Sequence, residues 1–380
     1  MNVSFWESES FLEAYDVCII GAGIVGLAAA ARYKELNPHT RLAVLERSWL
    51  SDGASSKNAG FACFGSISEL EDDLKNASFN QVLELSVKRY QGLQRLLELY
   101  GKDALGYEAC GGFELFFKGE EDLFHSCAAA LSKWNQAFEA SLGFAPYSIQ
   151  ECESFQGMNG LLGVITNSFE GSLHTGQLNQ CIRTRAVSLG VDLFQGVEVE
   201  EIFESSESHV LVKTKQGDWK CKQVLVCTNA FAKQLISELP ITPKRNQVII
   251  TNELDVCPIE GTFHQLEGYI YFRNVGNRIL LGGMRHLFPD SEATTEQATT
   301  EQLIATLSAY MSERILGHTH WSIDMKWSGI LGMGEVKSPI IKQVSPNTYC
   351  AVRLGGMGVA LGTLVGEDVV ALMLEQSTQP

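Results

Sequence analysis

One local pattern constrains this chain more than any other. Residues 15–46 read as a short buried strand, YDVCII, a glycine turn, GAGIVG, an apolar helix that stops near Asn37 and Pro38, and a second buried strand, RLAVLE. Continuous β-branched runs of this length mark buried strands, and an Asn-Pro pair marks a helix end. Glycines at 21, 23 and 26 between such elements have a division of labour. Gly21 permits the tight turn, Gly23 lets backbone approach a pyrophosphate, and Gly26 lets the helix close on the strand. The free N–H groups at the helix start then face phosphate oxygens. Glu46 ends the second strand, where a carboxylate accepts the protons of both ribose hydroxyls and repels a 2′-phosphate. A glycine-rich helix packed on a sheet for structural reasons alone leaves Glu46 unexplained, so the unit reads as a dinucleotide site.

The rest of the chain alternates in blocks. Apolar residues at helical spacing predict helices over 81–101, 119–142, 176–190, 298–315 and 362–376, and SIQE at 148–151 has the pattern of a capping box. VDLFQGVEVEEIF, HVLVKT, DWKCKQVLVCT, NQVIITNEL, GYIYFRN and RILLGGM read as strands. This order predicts an α/β fold in which a Rossmann-like domain is interrupted by an α+β domain with a mixed or antiparallel sheet. The expected boundaries are 1–80, 146–238 and 325–380 for the nucleotide domain, and 81–145 with 239–324 for a substrate domain.

Composition narrows the partners. A net charge of −16 disfavours nucleic acid and anionic lipid. The ten cysteines include no C-x-x-C pair and lie mostly in apolar segments, as reduced core residues do. The first 16 residues hold four acids and no Lys or Arg, unlike a secretory signal. The apolar run 17–31 is too short to span a bilayer. These features predict a cytoplasmic protein with no transmembrane segment.

Two further stretches choose among dinucleotides. ERSWLSDGASSKNAGFACFG (46–65) is a small, polar loop able to lie along an extended cofactor. Near the C-terminus, RLGGMGVALG (353–362) is a glycine turn entering an apolar helix. A flavin needs such a place, because its reduced ring gathers negative charge that a helix N-terminus stabilises. The candidate cofactor residues are therefore Gly21, Ala22, Gly23, Ile24, Gly26, Glu46 and Arg47 in the first unit. Ser55, Ser56, Lys57, Asn58, Ala59 and Gly60 follow in the loop, and Arg353, Gly355, Gly356, Met357, Gly358 and Val359 lie in the last turn. Lys57 is equally readable as a phosphate contact, a flavin neighbour or a solvated lysine.

YDVCIIGAGIVGLAAA, VLER, GASSKNAGF, GVEVEEI, VLVCTNAFA, KWSGILGMGEVKSPII and RLGGMGVALG together resemble the D-amino-acid oxidase-like family of FAD-dependent oxidoreductases, over nearly the whole chain. The family includes glycine oxidase, sarcosine oxidase and γ-glutamylputrescine oxidase, and the leader SFWE is similar to the last of these. The resemblance implies FAD, with Val199 touching the adenine through its backbone and Thr228, Asn229 and Ala230 lining the cofactor. It also implies oxidation of a C–N bond in a small amine or amino acid by hydride transfer to the flavin, with oxygen, a quinone or a protein as electron acceptor. Relatives that tether the flavin use a Cys or a His where this chain has Trp327 and Asn58, so the expected FAD is non-covalent. Several relatives place a carboxylate-binding arginine where this chain has Leu331, and the T-P-D-G run that follows is absent.

With Leu331 in that place, a substrate carboxylate needs another cation. Arg285, after a buried strand and two glycines, is the first candidate, and its rival reading is a surface arginine at a strand end; Arg353 is the second, although its place beside the GGMG turn favours the flavin's negative end. Tyr269 and Tyr271 share one face of GYIYF; the family resemblance implies that this face looks at the flavin pocket, and the other reading is core aromatics. His318 and His320 share a face if HTH is a strand, but no third ligand is near in sequence, so no metal is expected. Two alternatives stay open. One is an FAD-dependent 2-hydroxy-acid dehydrogenase, which needs a base such as His286 or His174. The other is a flavin-binding subunit without its own turnover.

Overall fold

The Tyr15–Ile20 strand is the centre of the molecule because its residues are apolar on both faces, and both faces are covered. It pairs in parallel with Leu42–Glu46 on one side and Gly217–Val226 on the other. The computed structural model describes residues 4–11, 14–155, 158–204 and 209–377. In it the first sheet runs Ile340–Ser345, Thr348–Val352, Gly217–Val226, Tyr15–Ile20, Leu42–Glu46, Asp192–Gln195, with Val210–Thr214 pairing Gly217–Val226 and Val199–Glu204 beyond it. The inner strands are parallel, as a Rossmann-like unit requires.

One face of this sheet carries a closely packed helix layer. The Ile24–Leu36 helix lies against the last helix, Gly358–Ser377. A Cβ at Gly362 would fall 2.6 Å from the Ile24 side chain, and one at Gly366 only 2.8 Å from the Ala29 amide. The small residues of GLAAAA and VALGTLVG thus set the interhelical distance. The Phe79–Tyr100 helix joins the same layer, with Gly92 against the Ala360 carbonyl and an Arg95–Glu367 ion pair at 2.9 Å.

The second sheet has eight strands in the order Ile323–Met333, Thr242–Thr251, Arg278–Gly283, Ile270–Val275, Thr262–Gln265, Gly112–Phe117, Leu161–Asn167, Tyr147–Gln150. Every pair is antiparallel except Thr262–Gln265 with Gly112–Phe117. The Glu301–Tyr310 helix and the π-helical turn Met311–Leu316 pack on one face with an apolar core of their own.

The α/β fold with a mixed second sheet matches the expectation, but three segments lie elsewhere than expected. Tyr147–Gln150, Leu161–Asn167 and Ile323–Met333 are strands of the second sheet rather than parts of the nucleotide layer. The helix expected over 81–101 packs on the first layer rather than the second. SIQE is not a helix start. Ser148 lies in a strand with its hydroxyl 3.0 Å from that of Thr166 on the neighbouring strand, so ladder pairing overrides the local pattern. The capping box in this region of the fold is Ser78 with Gln81 instead. His318 and His320 fall in the turn before Ile323–Met333, not on a strand, and no cluster of three metal-ligating side chains exists among the described residues. No described helix is long and apolar enough to cross a membrane.

Candidate functional site

The glycine turn folds as its sequence requires. Gly21 has φ of 103°, a conformation that glycine adopts without strain. A Cβ at Gly26 would meet the Gly21 carbonyl oxygen at 2.0 Å, so only glycine lets the helix start this close to the strand. The Glu46 carboxylate reaches across from the adjacent strand end. It accepts the Ala22 amide at 2.9 Å and the Ser48 amide at 3.0 Å. Ser55 Oγ accepts the Ile24 amide at 3.0 Å, at the helix N-terminus.

These groups open onto a long cavity. Gly21, Gly23, Ile24, Glu46, Arg47, Ser55, Asn58, Val199, Thr228, Asn229 and Ala230 line it, with Gly356, Gly358 and Val359 from the last turn. Arg47 stacks its guanidinium 3.9 Å over the Phe231 ring, which fixes one wall. Thr228 Oγ1 is buried without a hydrogen-bond partner, a polar atom left for a ligand. A second cavity adjoins the first and shares Ala54, Asn58, Leu331, Gly356 and Val359 with it. Lys57, Ala59, Gly355 and Met357 line the second cavity, and Lys57 is held by Asp52 at 2.7 Å. An extended dinucleotide could be held along this path, by Glu46 at one end, the helix start in the middle and the Leu331–Gly356 boundary at the other.

Five expected cofactor residues line neither cavity. Ala22 gives its amide to Glu46, and Gly26 sets the helix distance. Ser56 donates to the Ser51 and Gly53 carbonyls, which shapes the loop. Gly60 has φ of 73°, and a Cβ there would strike the Leu173 carbonyl oxygen at 2.3 Å. Arg353 is the correction with most consequence. Its left-handed backbone, φ 65°, turns the guanidinium away to the carbonyls of Ser338, at 2.9 Å, and Pro240, at 3.3 Å. That side chain leaves the Gly355–Val359 turn; only its amide, donating to Asn229 Oδ1 at 3.0 Å, supports the cavity wall.

The second cavity is lined by Arg285, Tyr269 and Tyr271 together. Arg285 extends from the turn after Arg278–Gly283, with its guanidinium 4.9 Å over the Tyr269 ring and 3.4 Å from Asn246 Oδ1. Burial pushes its pKa down, and among the described residues no carboxylate pairs with it. Asn246 Nδ2 donates to the Tyr271 hydroxyl at 2.8 Å, and burial pushes that phenol up to about 12. Neither expected base is here. His174 Nδ1 accepts the Gly176 and Gln177 amides and caps the Thr175–Ser188 helix, while His286 packs against Tyr269, with ring centroids 4.8 Å apart, and does not line the cavity.

Several cavity residues carried no local signal in the sequence. Asn246, His264, Glu69 and Lys337 come from four separate segments. Although burial alone raises a carboxyl, Lys337 and Arg89 hold Glu69 at about 2, and Lys337 also pairs Asp73 at 2.7 Å. The cavity is therefore cationic at Arg285 and internally neutralised at Lys337.

A model of the family described as FAD dependent oxidoreductase, DAO, matches residues 16–372. The chain is 23% identical, over 96% of its length and 84% of the relative, to the probable oxidoreductase OrdL of Haemophilus influenzae. It is also 23% identical, over 96% of its length, to the bifunctional protein ThiO/ThiG of Synechocystis, of which it spans about half, 52%. Among solved structures, glycine oxidase from Geobacillus kaustophilus superposes with a TM-score of 0.74 at 20% identity, covering 95% of each chain. That likeness establishes the fold.

Proposed function

The chain belongs to the DAO family of FAD-dependent oxidoreductases, and from that premise we propose that it oxidises the C–N bond of a small amine bearing a carboxylate. The observation that carries this reading is the Arg285 guanidinium: cavity-lining, partly buried and without an acidic partner among the described residues. A desolvated cation of this kind favours a planar carboxylate that can take two parallel N–H donors. Asn246 and Tyr271 support the same end of the cavity.

FAD would be held by Glu46 at the ribose, by the Gly21–Ile24 turn and Ser55 at the phosphates, and by Thr228, Asn229 and the Gly356–Val359 turn nearer the ring. Bound there, it supplies a two-electron acceptor for hydride from the carbon next to nitrogen. The protein's own part is to orient and dry the substrate. Arg285 fixes the carboxylate, and the rings of Tyr269, Tyr271 and Phe61 exclude water around the reacting carbon. Leu331, on the boundary of the two cavities, adds apolar surface where relatives of the resembled type carry a charge.

Anaerobic mixing tests the reading. Amino acids should bleach the flavin at least tenfold faster than the matching amines without a carboxylate. The 2-hydroxy-acid alternative predicts bleaching by hydroxy acids instead, and a subunit without turnover predicts bleaching by neither class.

A further inference from the structure

His264 lies on the Thr262–Gln265 strand, opposite Tyr271 on one neighbour and Glu114 on the other. Directly opposed residues share a face, so His264 and Tyr271 both look into the substrate cavity. The Phe61 ring meets the imidazole edge-on at 5.0 Å. Nε2 is sealed from solvent, makes no hydrogen bond among the described residues, and lies 3.8 Å from Glu170 Oε2. Glu170 is itself buried. Its other oxygen accepts the Phe64 amide at 2.9 Å and the Gly65 amide at 3.3 Å. Gly112 leaves room for it, since a Cβ there would lie 2.0 Å from Oε2. The carboxyl is thus built in behind the histidine, away from the cavity.

Resting on the reading of the cavity as an amine site, we propose that His264, backed by Glu170, is its acid–base group and takes a proton from the substrate's ammonium through Nδ1. The chemistry needs such a group. Hydride leaves a carbon readily only when the adjacent nitrogen has a lone pair to donate, and an amino acid arrives as an ammonium. In the step, one ammonium N–H bond breaks and its electron pair stays on nitrogen. An Nδ1–H bond forms, and in molecules whose Glu170 is ionised the positive charge on the ring is met by that carboxylate at Nε2.

The electrostatics around the pair agree. Burial pushes Glu170 up to about 8; the Phe64 and Gly65 amides oppose this, and Glu69 and Glu114 add to it. Burial holds His264 down at about 4, with Glu69 pulling the other way, so its lone pair is free at neutral pH. Arg89, Cys63, Tyr107 and Tyr147 are further titratable groups around the pair, and Tyr271 faces His264 across the ladder. Ionisation of Glu170 strengthens the base, so kcat/KM should climb as pH rises through about 8.

The test begins without substrate. In FAD-loaded protein labelled with [15N]histidine, at pH 9, the signals assigned by His264→Asn should show hydrogen on Nε2 and a bare Nδ1. A hydrogen on Nδ1 overturns the proposal. The second arm uses glycine and N-methylglycine as probe amines. His264→Asn should lower kcat/KM by about 100-fold at pH 7, with the gap closing near pH 10, where the amine is already neutral. Equal losses at both pH values mean a structural role and also overturn it. If neither probe reacts, the tautomer of the substrate-free protein still decides. A failed Arg285 clamp leaves that measurement untouched.

Discussion

Glu46 Oε2 accepts the Ala22 amide at 2.9 Å, so the acid expected at a ribose also ties the glycine turn to the neighbouring strand. The two roles separate by substitution. Glu46→Ala leaves the buried Ala22 N–H without a partner and removes charge-assisted bonds to the ribose, each worth roughly 1.5–3 kcal/mol. It should lower both the melting temperature of the apo-protein and its affinity for FAD. Glu46→Gln keeps an acceptor for Ala22 and should lose mainly affinity. A titration of apo-protein with FAD and a thermal melt check both variants; unchanged FAD affinity in both means that the ribose is held elsewhere.

Gly26→Ala should be among the most damaging single-methyl additions in the chain. Its Cβ would sit 2.0 Å from a backbone oxygen, where no side chain can swing aside. The helix must then move off the strand by an ångström or more, and with it the amides of the phosphate turn. The expected outcome is protein that melts lower and purifies with little flavin. A variant that keeps wild-type colour and melting temperature contradicts the close packing.

The parts of this molecule that were legible in the sequence are those whose chemistry is local. The Gly21–Gly26 turn, with Glu46 at the end of the very next strand, and the Gly355–Val359 turn are each short local motifs, and residues of both line the cavities. Asn246 and His264 line one cavity only because strands distant in sequence pair in the second sheet, and Glu170 reaches His264 from the turn after Leu161–Asn167; no spacing announces that. Arg353 misled for the opposite reason. It is next to the right turn, but a backbone φ of 65° points its side chain at Ser338. SIQE misled because four residues match a cap as well as they match an edge strand, and only the Leu161–Asn167 partner decides between them.

FAD should be released into the supernatant when the protein is precipitated with acid. Trp327 donates its Nε1–H to the Lys57 carbonyl at 3.0 Å, and the Asn58 side chain bridges Ser55 O and the Gly60 amide. Neither can form a bond to a flavin ring carbon. Flavin retained in the pellet would redirect attention to Cys63 and His264, the cysteine and histidine that line the substrate cavity.

The Arg245–Glu292 pair predicts a stability effect separable from catalysis. Its two bonds, 2.8 and 2.9 Å, are buried, and Gln247 donates to the same carboxylate. The pair fastens the segment after Arg285 to the second sheet, and Gln297 in that segment reaches the Asp52 carbonyl beside the cofactor cavity. Arg245→Met leaves Glu292 buried and uncompensated, a cost of about 3–5 kcal/mol. Urea unfolding should show the unfolding free energy fall by that amount, with the preference among substrates unchanged. A loss below about 1 kcal/mol would show that the segment relaxes and rehydrates Glu292.

On the proposed reading, Arg285 selects the substrate class. Its guanidinium has a 3.4 Å contact to Asn246 Oδ1 and a ring beneath it, but no carboxylate among the described residues to neutralise it. A substrate carboxylate completes that arrangement. Arg285→Met should therefore raise KM for carboxylate-bearing amines by about tenfold or more, in line with the roughly 1.5–3 kcal/mol of a charge-assisted pair. Arg285→Lys should recover only part of this, because a point charge cannot give two parallel donors. For an amine lacking the carboxylate, Arg285→Met should change KM little or improve it, since the empty site no longer holds a desolvated cation. FAD content should stay at the wild-type level, because Arg285 lines the substrate cavity and not the dinucleotide cavity. Equal KM changes for both kinds of amine would place Arg285 in the wall of the cavity rather than at the carboxylate, and a simple amine would then be the better substrate.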